Sequence, residues 1–216
     1  MMRRMIVAML GLAAGPGQAH PHVFIDTRYE VILNDRNEAT ALRIGWTYDD
    51  LYALLIFGDL SLDPDGDGVL TAQEETRLIG FDMKWIEGFE GDTYVLMDDK
   101  TLPISGPRDW TASWADGKLS STHYRDLVTP VPVGKVPLVI QAYDPGYYAA
   151  HFILPPAVVT GGTGCSAKVY EADLDAADAA LQEALQEFAP GADVEGQFPA
   201  VGAKFSDEVR VTCDAP

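Results

Sequence analysis

The chain between residues 22 and 48 alternates apolar and polar side chains, which is the pattern of strands with one buried face. In its first half, one face carries Val23, Ile25, Thr27, Tyr29, Val31 and Leu33. Residues 34–37 have the chemistry of a turn. The next stretch carries Leu42, Ile44, Trp46 and Tyr48 on its inner face. The pattern predicts an antiparallel hairpin.

Helical spacing replaces the alternation over residues 50–60 and 71–89. The second of these segments has one apolar stripe, made of Leu78, Ile79, Met83, Ile86 and Phe89. We therefore predict an inserted, EF-hand-like helical segment at about residues 50–90, ended by Gly91.

Short strands are predicted again after the insert, at residues 93–97, 110–114, 119–128, 138–143 and 147–154. Their regular spacing and their Gly, Pro and Asp punctuation predict an antiparallel sandwich or open barrel, hence an α+β, mainly β fold. Residues 155–164 resemble a linker. Beyond them a strand, a helix over 173–188 and a last strand predict a small α/β appendage. The expected domains are 20–156 (β-rich) and 157–216 (C-terminal appendage).

The first 19 residues, MMRRMIVAMLGLAAGPGQA, have the form of a secretory signal peptide. Two arginines precede a short apolar run, and the two positions that a signal peptidase reads, Gly17 and Ala19, carry small residues, so cleavage is expected after Ala19. The run is too short to span a bilayer. Cleavage would give a periplasmic or secreted protein that begins at His20. Loss of the two arginines changes the net charge from −18 to −20, so nucleic acid and anionic lipid are poor partners.

Both cysteines, Cys165 and Cys213, lie in the part of the chain that would be exported. An even pair in an oxidising compartment most often forms one disulfide. The alternative, Cys165 as a nucleophile after a glycine-rich stretch, lacks an identifiable base nearby. We therefore expect a disulfide, which would close a loop of about 50 residues and stabilise the fold by about 4 kcal/mol.

Residues 63–74, DPDGDGVLTAQE, match the calcium-binding loop of an EF-hand. The acidic and hydroxyl residues occur at alternate positions, and Gly68 stands where such a loop turns sharply. The predicted ligands are Asp63, Asp65, Asp67, the carbonyl of Val69, Thr71 and Glu74. The alternative is an acidic turn that matches by chance. The number of positions that fit together favours a Ca²⁺ site.

The loop is expected to act as a structural staple rather than as a switch. No second EF-hand loop is visible in the sequence, and extracellular modules bind calcium with dissociation constants of about 10⁻⁴ to 10⁻³ M. Thr71 and Glu74 also have the spacing of a helix-capping box. Capping and calcium binding would therefore compete for the Glu74 side chain.

The histidines suggest a second, weaker metal site. After cleavage, the free amine and the imidazole of His20 could chelate Cu²⁺, Ni²⁺, Co²⁺ or Zn²⁺, with His22 as a third nitrogen ligand. The alternative is that these residues lie by chance in an unstructured N-terminus. His123 and His151 fall on predicted strands, where a buried, hydrogen-bonded histidine is the common outcome. Whether either of them joins a site is left open.

Three segments together resemble the bacterial exported proteins of domain-of-unknown-function family 1007. They are HPHVFID at the expected mature start, GWTYDD followed by the DPDGDGVLTAQE loop, and YDPGYYAAHF. The resemblance places His20, His22 and Asp26 in the opening motif, and Tyr147 and Tyr148 in the late motif. It implies a periplasmic component of a transport system, encoded beside a nickel/cobalt-type permease. No activity is implied.

Three functions are compatible with these features. The leading hypothesis is a periplasmic, calcium-stapled metal-binding accessory protein for a nickel-, cobalt- or zinc-type membrane transporter, with a metal permease as partner. The second is a calcium-dependent protein-interaction module with no transition-metal role. The third is a copper-dependent enzyme that uses the N-terminal histidine, against which stands the absence of any familiar catalytic motif.

Overall fold

The structure, a computed structural model, describes residues 21–189 and 198–214. The predicted signal peptide and His20 lie outside the described residues. The helices are α1 (Asp50–Leu60), α2 (Ala72–Leu78) and α3 (Leu174–Leu185). The strands are β1 (Val23–Leu33), β2 (Glu38–Tyr48), β3 (Thr93–Met97), β4 (Lys100–Leu102), β5 (Arg108–Ala115), β6 (Lys118–Pro132), β7 (Leu138–Ala142), β8 (Ala149–Ile153), β9 (Val158–Thr160), β10 (Cys165–Tyr170) and β11 (Glu208–Cys213).

These strands form two sheets. The first has the order β5-β6-β2-β1-β8, with β9 also on β1, and the second has the order β10-β11-β7-β3-β4. Apolar side chains of both sheets share one buried core, for example Tyr29 and Ile44 from the first and Ile140 and Val209 from the second. The described strands do not close into a barrel. The predicted α+β, mainly β fold is confirmed, in its sandwich form.

The predicted hairpin is present, with β1 and β2 antiparallel and Tyr29 opposite Ile44. Most other pairs are also antiparallel, but β8 and β9 run parallel to β1. This parallel arrangement is possible because β7, which precedes β8 in the chain, belongs to the second sheet. The chain therefore crosses from the second sheet back to the first before β8 pairs with β1. Parallel neighbours need such a long connection, whereas antiparallel ones can be joined by a tight turn.

The C-terminal region contains the predicted strand, helix and strand, but its strands complete sheets begun by the earlier chain. Strand β11 pairs with β7, and β10 pairs with β11. The stretch predicted to be a linker contains β9, which pairs with β1 at residues 30–32. That the division at residue 156 separates two domains stays a prediction.

The insert is less helical than predicted. Helix α1 has the expected bounds, with Asp49 as its N-cap and Ser61 in the left-handed region at its end. The second helix was predicted to reach residue 89 but ends at Leu78, because Gly80 follows with φ +76°. The predicted stripe is therefore not a helix face, and Ile86 is 79% exposed. Residues 79–92 instead form turns that lie against the first sheet.

Candidate functional site

The acidic loop brings three predicted calcium ligands together. One carboxylate oxygen each of Asp63, Asp65 and Asp67 lie within 4.8 Å of one another. Gly66 and Gly68 both have positive φ, +70° and +79°. Such backbone conformations are open to glycine at little cost, and they turn the chain around the carboxylates. Three negative charges at this spacing repel one another unless a cation lies between them.

Backbone amides shape this loop. The Asp63 carboxylate accepts hydrogen bonds from the amides of Asp67 and Gly68, both at 3.0 Å. The Asp67 carboxylate accepts one from the amide of Val69 at 2.8 Å. Asp65, in contrast, makes no hydrogen bond within the described residues and is exposed. Its side chain therefore has no evident structural role in the loop itself.

Glu74 lies apart from the three aspartates and acts as a cap. It is only 5% exposed, and it accepts hydrogen bonds from the amides of Asp63 at 3.1 Å and Thr71 at 2.8 Å. The Thr71 hydroxyl also donates to it at 2.6 Å. These hydrogen bonds, those of Thr71 first, lower the pKa of Glu74. The predicted capping box is present, and direct binding of an ion by Glu74 would need its side chain to turn.

The loop is attached to the first sheet by an aromatic side chain. The indole of Trp114, on the edge strand β5, donates to the carbonyl oxygen of Gly68 at 3.0 Å and packs edge-on against Phe57 of α1 at 4.6 Å. Arg77 of α2 donates to the carbonyl oxygen of Leu60 at 3.1 Å. The loop thus fixes the two helices of the insert to one edge of the sheet.

A cavity of about 510 Å³ lies under the other part of the insert. Strands β1, β2 and β8 form its floor, and residues 81–89 cover it from one side. Its aromatic lining consists of Trp46, Tyr48, Tyr52, Phe81, Trp85, Phe89 and Tyr148. The volume is in the range of small-molecule sites, which are mostly apolar with a few placed polar groups.

Asp82 is one of the polar groups in the lining. One of its oxygens, Oδ2, accepts hydrogen bonds from the Tyr48 hydroxyl at 2.7 Å and from the Ser121 hydroxyl. The other, Oδ1, is buried and has no hydrogen-bond partner within the described residues. Burial raises the pKa of this carboxyl. The indole nitrogen of Trp46 is also buried without a partner in this part of the chain.

His151, left open by the sequence, is fixed between two side chains. Its Nδ1 lies 2.9 Å from the Thr27 hydroxyl and its Nε2 lies 3.3 Å from Asp92 Oδ2. With Nε2 protonated, it donates to Asp92 and accepts from Thr27. Burial raises the pKa of Asp92. Both ring nitrogens are in use, as expected of a structural core histidine.

His123 is fully buried beside two indole rings. Its ring centroid lies 4.7 Å from that of Trp46 and 5.8 Å from that of Trp85. Neither of its nitrogens has a hydrogen-bond partner within the described residues. Burial, together with the nearby charge of Arg125, lowers the pKa of His123 to about 4. The imidazole is therefore neutral at pH 7.

His22, the second residue of the predicted transition-metal chelate, lies against Tyr148, which is one of the residues that line the cavity. Its amide donates to the carbonyl oxygen of Tyr148 at 2.8 Å, and its ring stacks on the Tyr148 ring at 4.7 Å. The opening and late sequence motifs therefore meet in space. His20 lies outside the described residues, so the chelate stays a prediction, as does the calcium ligand set.

The sequence reasoning missed Asp82 and Asp92. Asp82 falls within the predicted second helical segment at residues 71–89, and Asp92 falls between Gly91 and the predicted strand at residues 93–97. Their local patterns match those of solvent-exposed acids, of which the chain has many. The only available signal was the aromatic density around them, with Phe81 and Trp85 within three residues of Asp82.

The predicted disulfide between Cys165 and Cys213 is confirmed. The two residues are directly opposite each other on β10 and β11. The alternative of a free nucleophilic Cys165 is thereby excluded. Within the described residues, no helix combines the length and the apolar character needed to cross a membrane.

Comparison with known protein families identifies a matching family. The family model described as "Protein of unknown function (DUF1007)" matches residues 5–213. The chain belongs to this family, in agreement with the resemblance of its motifs. A search of curated proteins gives no match.

Proposed function

We propose that this DUF1007 protein is an exported, calcium-stapled metal-binding accessory protein, in which the loop 63–74 binds Ca²⁺. The observation that carries the proposal is the convergence of the Asp63, Asp65 and Asp67 carboxylates within 4.8 Å in a loop with EF-hand spacing. Carboxylate and carbonyl oxygens are the ligands that calcium prefers. The Val69 carbonyl and Thr71 would complete the set, with Glu74 reached by a side-chain rotation.

Calcium bound there would neutralise the three carboxylates and hold the loop against the sheet. Hydrogen bonds already connect the loop to the sheet and the two helices to each other. Trp114 donates to the carbonyl oxygen of Gly68, and Arg77 of α2 donates to that of Leu60 at the end of α1. A structural ion at this point stabilises the whole insert, including the turns that cover the cavity. This role fits the single loop and the weak affinity expected of extracellular sites.

Calorimetric titration with CaCl₂ and MgCl₂ tests the calcium site on the mature chain. We expect one Ca²⁺ per chain with a dissociation constant of about 10⁻⁴ to 10⁻³ M and weaker Mg²⁺ binding. Asp65→Asn and Asp67→Asn should weaken Ca²⁺ binding at least tenfold, about 1.4 kcal/mol. The matched control is Asp59→Asn, which removes an exposed carboxylate outside the loop. Equal Ca²⁺ binding by all four proteins would contradict the proposal.

The transition-metal role rests on the position of His22. Because its backbone and its ring are both held by Tyr148, a chelate formed by the His20 amine, His20 and His22 would be anchored to the folded domain. Imidazole and amine nitrogens suit Ni²⁺, Co²⁺, Zn²⁺ and Cu²⁺. The membrane metal permease implied by the family resemblance is the proposed partner.

Titration of these four metals on protein with an authentic His20 N-terminus tests the chelate. His20→Ala and His22→Ala should each weaken binding, and so should two extra residues placed before His20, since they remove its free amine. His151→Gln is the control, because His151 is buried and already bonded on both nitrogens. Metal binding that is equal in all these proteins would exclude the chelate.

A calcium-dependent interaction module is the second candidate, and α1 favours it. This helix exposes Leu51, Leu54 and Leu55 by 65%, 68% and 59%, which is unusual for three leucines on one short helix. The module hypothesis requires the calcium site but no chelate. The two titrations therefore separate it from the accessory-protein hypothesis.

A further inference from the structure

Helix α1 carries an apolar stripe that the described residues leave uncovered. Its leucines Leu51, Leu54 and Leu55 are exposed by 65%, 68% and 59%, and a Cβ added to Gly58 would meet nothing within 4 Å. These four residues, the leucine stripe, have the spacing i, i+3, i+4 and i+7, so they share about 100° of the helix circumference. The buried residue of the helix, Ala53, lies on the other side. This spacing is typical of helices that dock against a partner.

Gly58 in the middle of the stripe is unexplained by the fold itself. Glycine inside a helix is destabilising relative to alanine. Gly58 lies within α1, and its φ is not among the positive values that only glycine adopts easily. No described neighbour occupies the place of its missing side chain. A small residue at the centre of an exposed helix face instead lets a second helix approach closely, because the side chains at the contact set the distance between helix axes.

Negative charge borders the leucine stripe on both sides. Residues 49–76 contain eight Asp or Glu residues and no Lys, Arg or His. Asp50 and Asp59 are nine positions apart and therefore lie about 180° from each other around the helix, with the leucines between them. The acidic loop begins at Asp63, shortly after α1 ends at Leu60. The surroundings of the stripe therefore favour a partner with positive charge.

The nearby bases do not cancel this charge. Lys118 donates to Asp50 at 2.7 Å, but it lies among three aspartates, Asp26, Asp49 and Asp50. Arg77 donates to the carbonyl oxygen of Leu60 and forms an ion pair with Glu74 at 3.6 Å. Both bases are therefore already in use, and each end of α1 keeps more acids than bases.

The same charges disfavour two other occupants of the stripe. If two copies of the chain packed through α1, the acidic ends of one helix would face acidic ends of the other in either orientation, and like charges at short range repel. Helices that lie on membranes carry Lys and Arg on their polar face, whereas α1 has neither. A partner that is both apolar and basic meets neither objection.

We propose that α1 binds a basic amphipathic helix of a partner protein, whose apolar side chains cover the leucine stripe and whose Lys or Arg side chains face Asp50 and Asp59. Apolar burial supplies the affinity, and the charges select the partner. The proposal names the partner of the interaction-module candidate, on which it rests for the role of α1. It does not require bound calcium, because the stripe and both flanking aspartates lie outside the loop.

A helical peptide of about 18 residues is the probe, made of Leu at the spacing i, i+3, i+4 and i+7 and of Lys elsewhere. The matched control peptide has Glu in place of every Lys. Both are titrated calorimetrically in EGTA into the mature, disulfide-bonded chain, so a failure of the calcium proposal leaves this test intact. We expect the Lys peptide to bind at least about tenfold more tightly at low salt and the difference to shrink at high salt. Equal affinities, or no binding of the Lys peptide, would overturn the proposal.

Variants locate the binding surface. Leu54→Ala keeps a good helix former at an exposed position and should weaken binding of the Lys peptide about tenfold. The matched control is Leu174→Ala, which truncates a leucine of α3 that is 58% exposed and should have no effect. Asp59→Asn should weaken binding of the Lys peptide about threefold, whereas Asp99→Asn, in an exposed turn of the second sheet, should not. Peptide affinity unchanged in Leu54→Ala would place the binding elsewhere and exclude α1.

Gly58→Ala gives a readout that a purely structural role would not produce. It should raise the melting temperature, because alanine favours the helix, and at the same time weaken binding of the Lys peptide, because a methyl group keeps the partner helix away. Unchanged or tighter peptide binding by Gly58→Ala would contradict the close approach.

The two other occupants are tested on the chain alone. Sedimentation should show a monomer, and flotation with phosphatidylcholine vesicles should show no binding. A dimer that Leu54→Ala dissociates would assign the leucine stripe to a second copy of the chain. Vesicle binding that Leu54→Ala abolishes would assign it to a lipid surface. Either result would overturn the proposal.

Discussion

The hydroxyl of Tyr48 donates a 2.7 Å hydrogen bond to the carboxylate of Asp82, 34 residues further along the chain. Tyr48 is the last residue of β2, whereas Asp82 lies in the turns that follow α2. This bond joins the floor of the cavity to its cover. The calcium loop precedes the same cover, so the acidic loop and the cover of the cavity belong to one inserted segment. This segment is bonded to the sheet at the loop through Trp114 and at the cover through Tyr48.

The first prediction separates calcium binding from helix capping. Asp65→Asn should leave the melting temperature unchanged or slightly higher without calcium, because it relieves repulsion and removes no hydrogen bond. With calcium it should melt below the wild type. Thr71→Ala should lower stability by about 1 kcal/mol in calcium-free buffer, where Glu74 and Thr71 form the capping box.

Thermal unfolding of both variants in EGTA and in millimolar CaCl₂ checks this prediction. If Asp65→Asn lowers the melting temperature equally in the two buffers, its carboxylate has a structural role and the staple is not supported.

The second prediction concerns the packing of Trp85 over Gly91. A Cβ added to Gly91 would lie 2.2 Å from Cη2 of Trp85, so Gly91→Ala must displace the indole from the cavity wall. The control is Gly88→Ala, which has a similar positive φ but nothing within 4 Å of the added atom. Left-handed alanine alone costs about 1 to 2 kcal/mol.

We expect Gly91→Ala to lower the free energy of unfolding by about 1 to 3 kcal/mol more than Gly88→Ala does. Its indole emission should shift to the red. Denaturant unfolding followed by fluorescence gives both readouts. The same loss of stability in the two variants would show that Trp85 does not pack as described.

The third prediction is an acid sensitivity caused by His123. The pKa of His123 is about 4 in the folded chain and near 6.5 in the unfolded chain. Between pH 4 and pH 6.5, His123 is therefore protonated in the unfolded chain but neutral in the folded chain. Its contribution to stability is complete above pH 6.5 and is lost as the pH falls toward 4. The shift corresponds to roughly 3 kcal/mol. His123→Phe should remove this loss.

Urea unfolding at pH 7 and pH 4.5 measures this loss of stability in the wild type, in His123→Phe and in the control variant His22→Ala. The raised pKa values of Asp82 and Asp92 have the opposite effect on the pH dependence of stability. Because the folded chain binds these two protons more tightly than the unfolded chain, acidification stabilises the fold at these residues. The comparison between proteins removes that shared contribution. A wild type and a His123→Phe variant with the same pH dependence would contradict the prediction.

The fourth prediction concerns the disulfide. Cys165 and Cys213 are 48 residues apart, and opening this loop should cost about 4 kcal/mol on the chain-entropy model. Dithiothreitol should therefore lower the melting temperature of the wild type to that of the Cys165→Ala/Cys213→Ala protein, which should not respond to the reductant. A wild type unaffected by full reduction would show that the pairing of β10 with β11 suffices.

Local patterns predicted a large part of this fold. The period-two alternation of β1 and β2, the helix from Asp50 to Leu60 and the EF-hand spacing each depend on residues near one another in the chain. The cap by Thr71 and Glu74 follows from the same local chemistry. The second helix was predicted too long because an apolar spacing continued past Gly80, where the backbone leaves the helical region.

The sequence by itself determined the mainly β class, the acidic loop and the cysteine pair, since periodicity, loop spacing and cysteine count are properties of short segments or of composition. It left the sandwich and the open barrel as alternatives, and the structure decided for the sandwich. Only the tertiary structure decided that β8 lies parallel to β1, that β11 completes the sheet of β7, and that Tyr48 reaches Asp82. These contacts join residues far apart in the chain, and their partners are selected by how two sheets and an insert pack together. The cavity and its buried carboxylate exist only as a result of that packing.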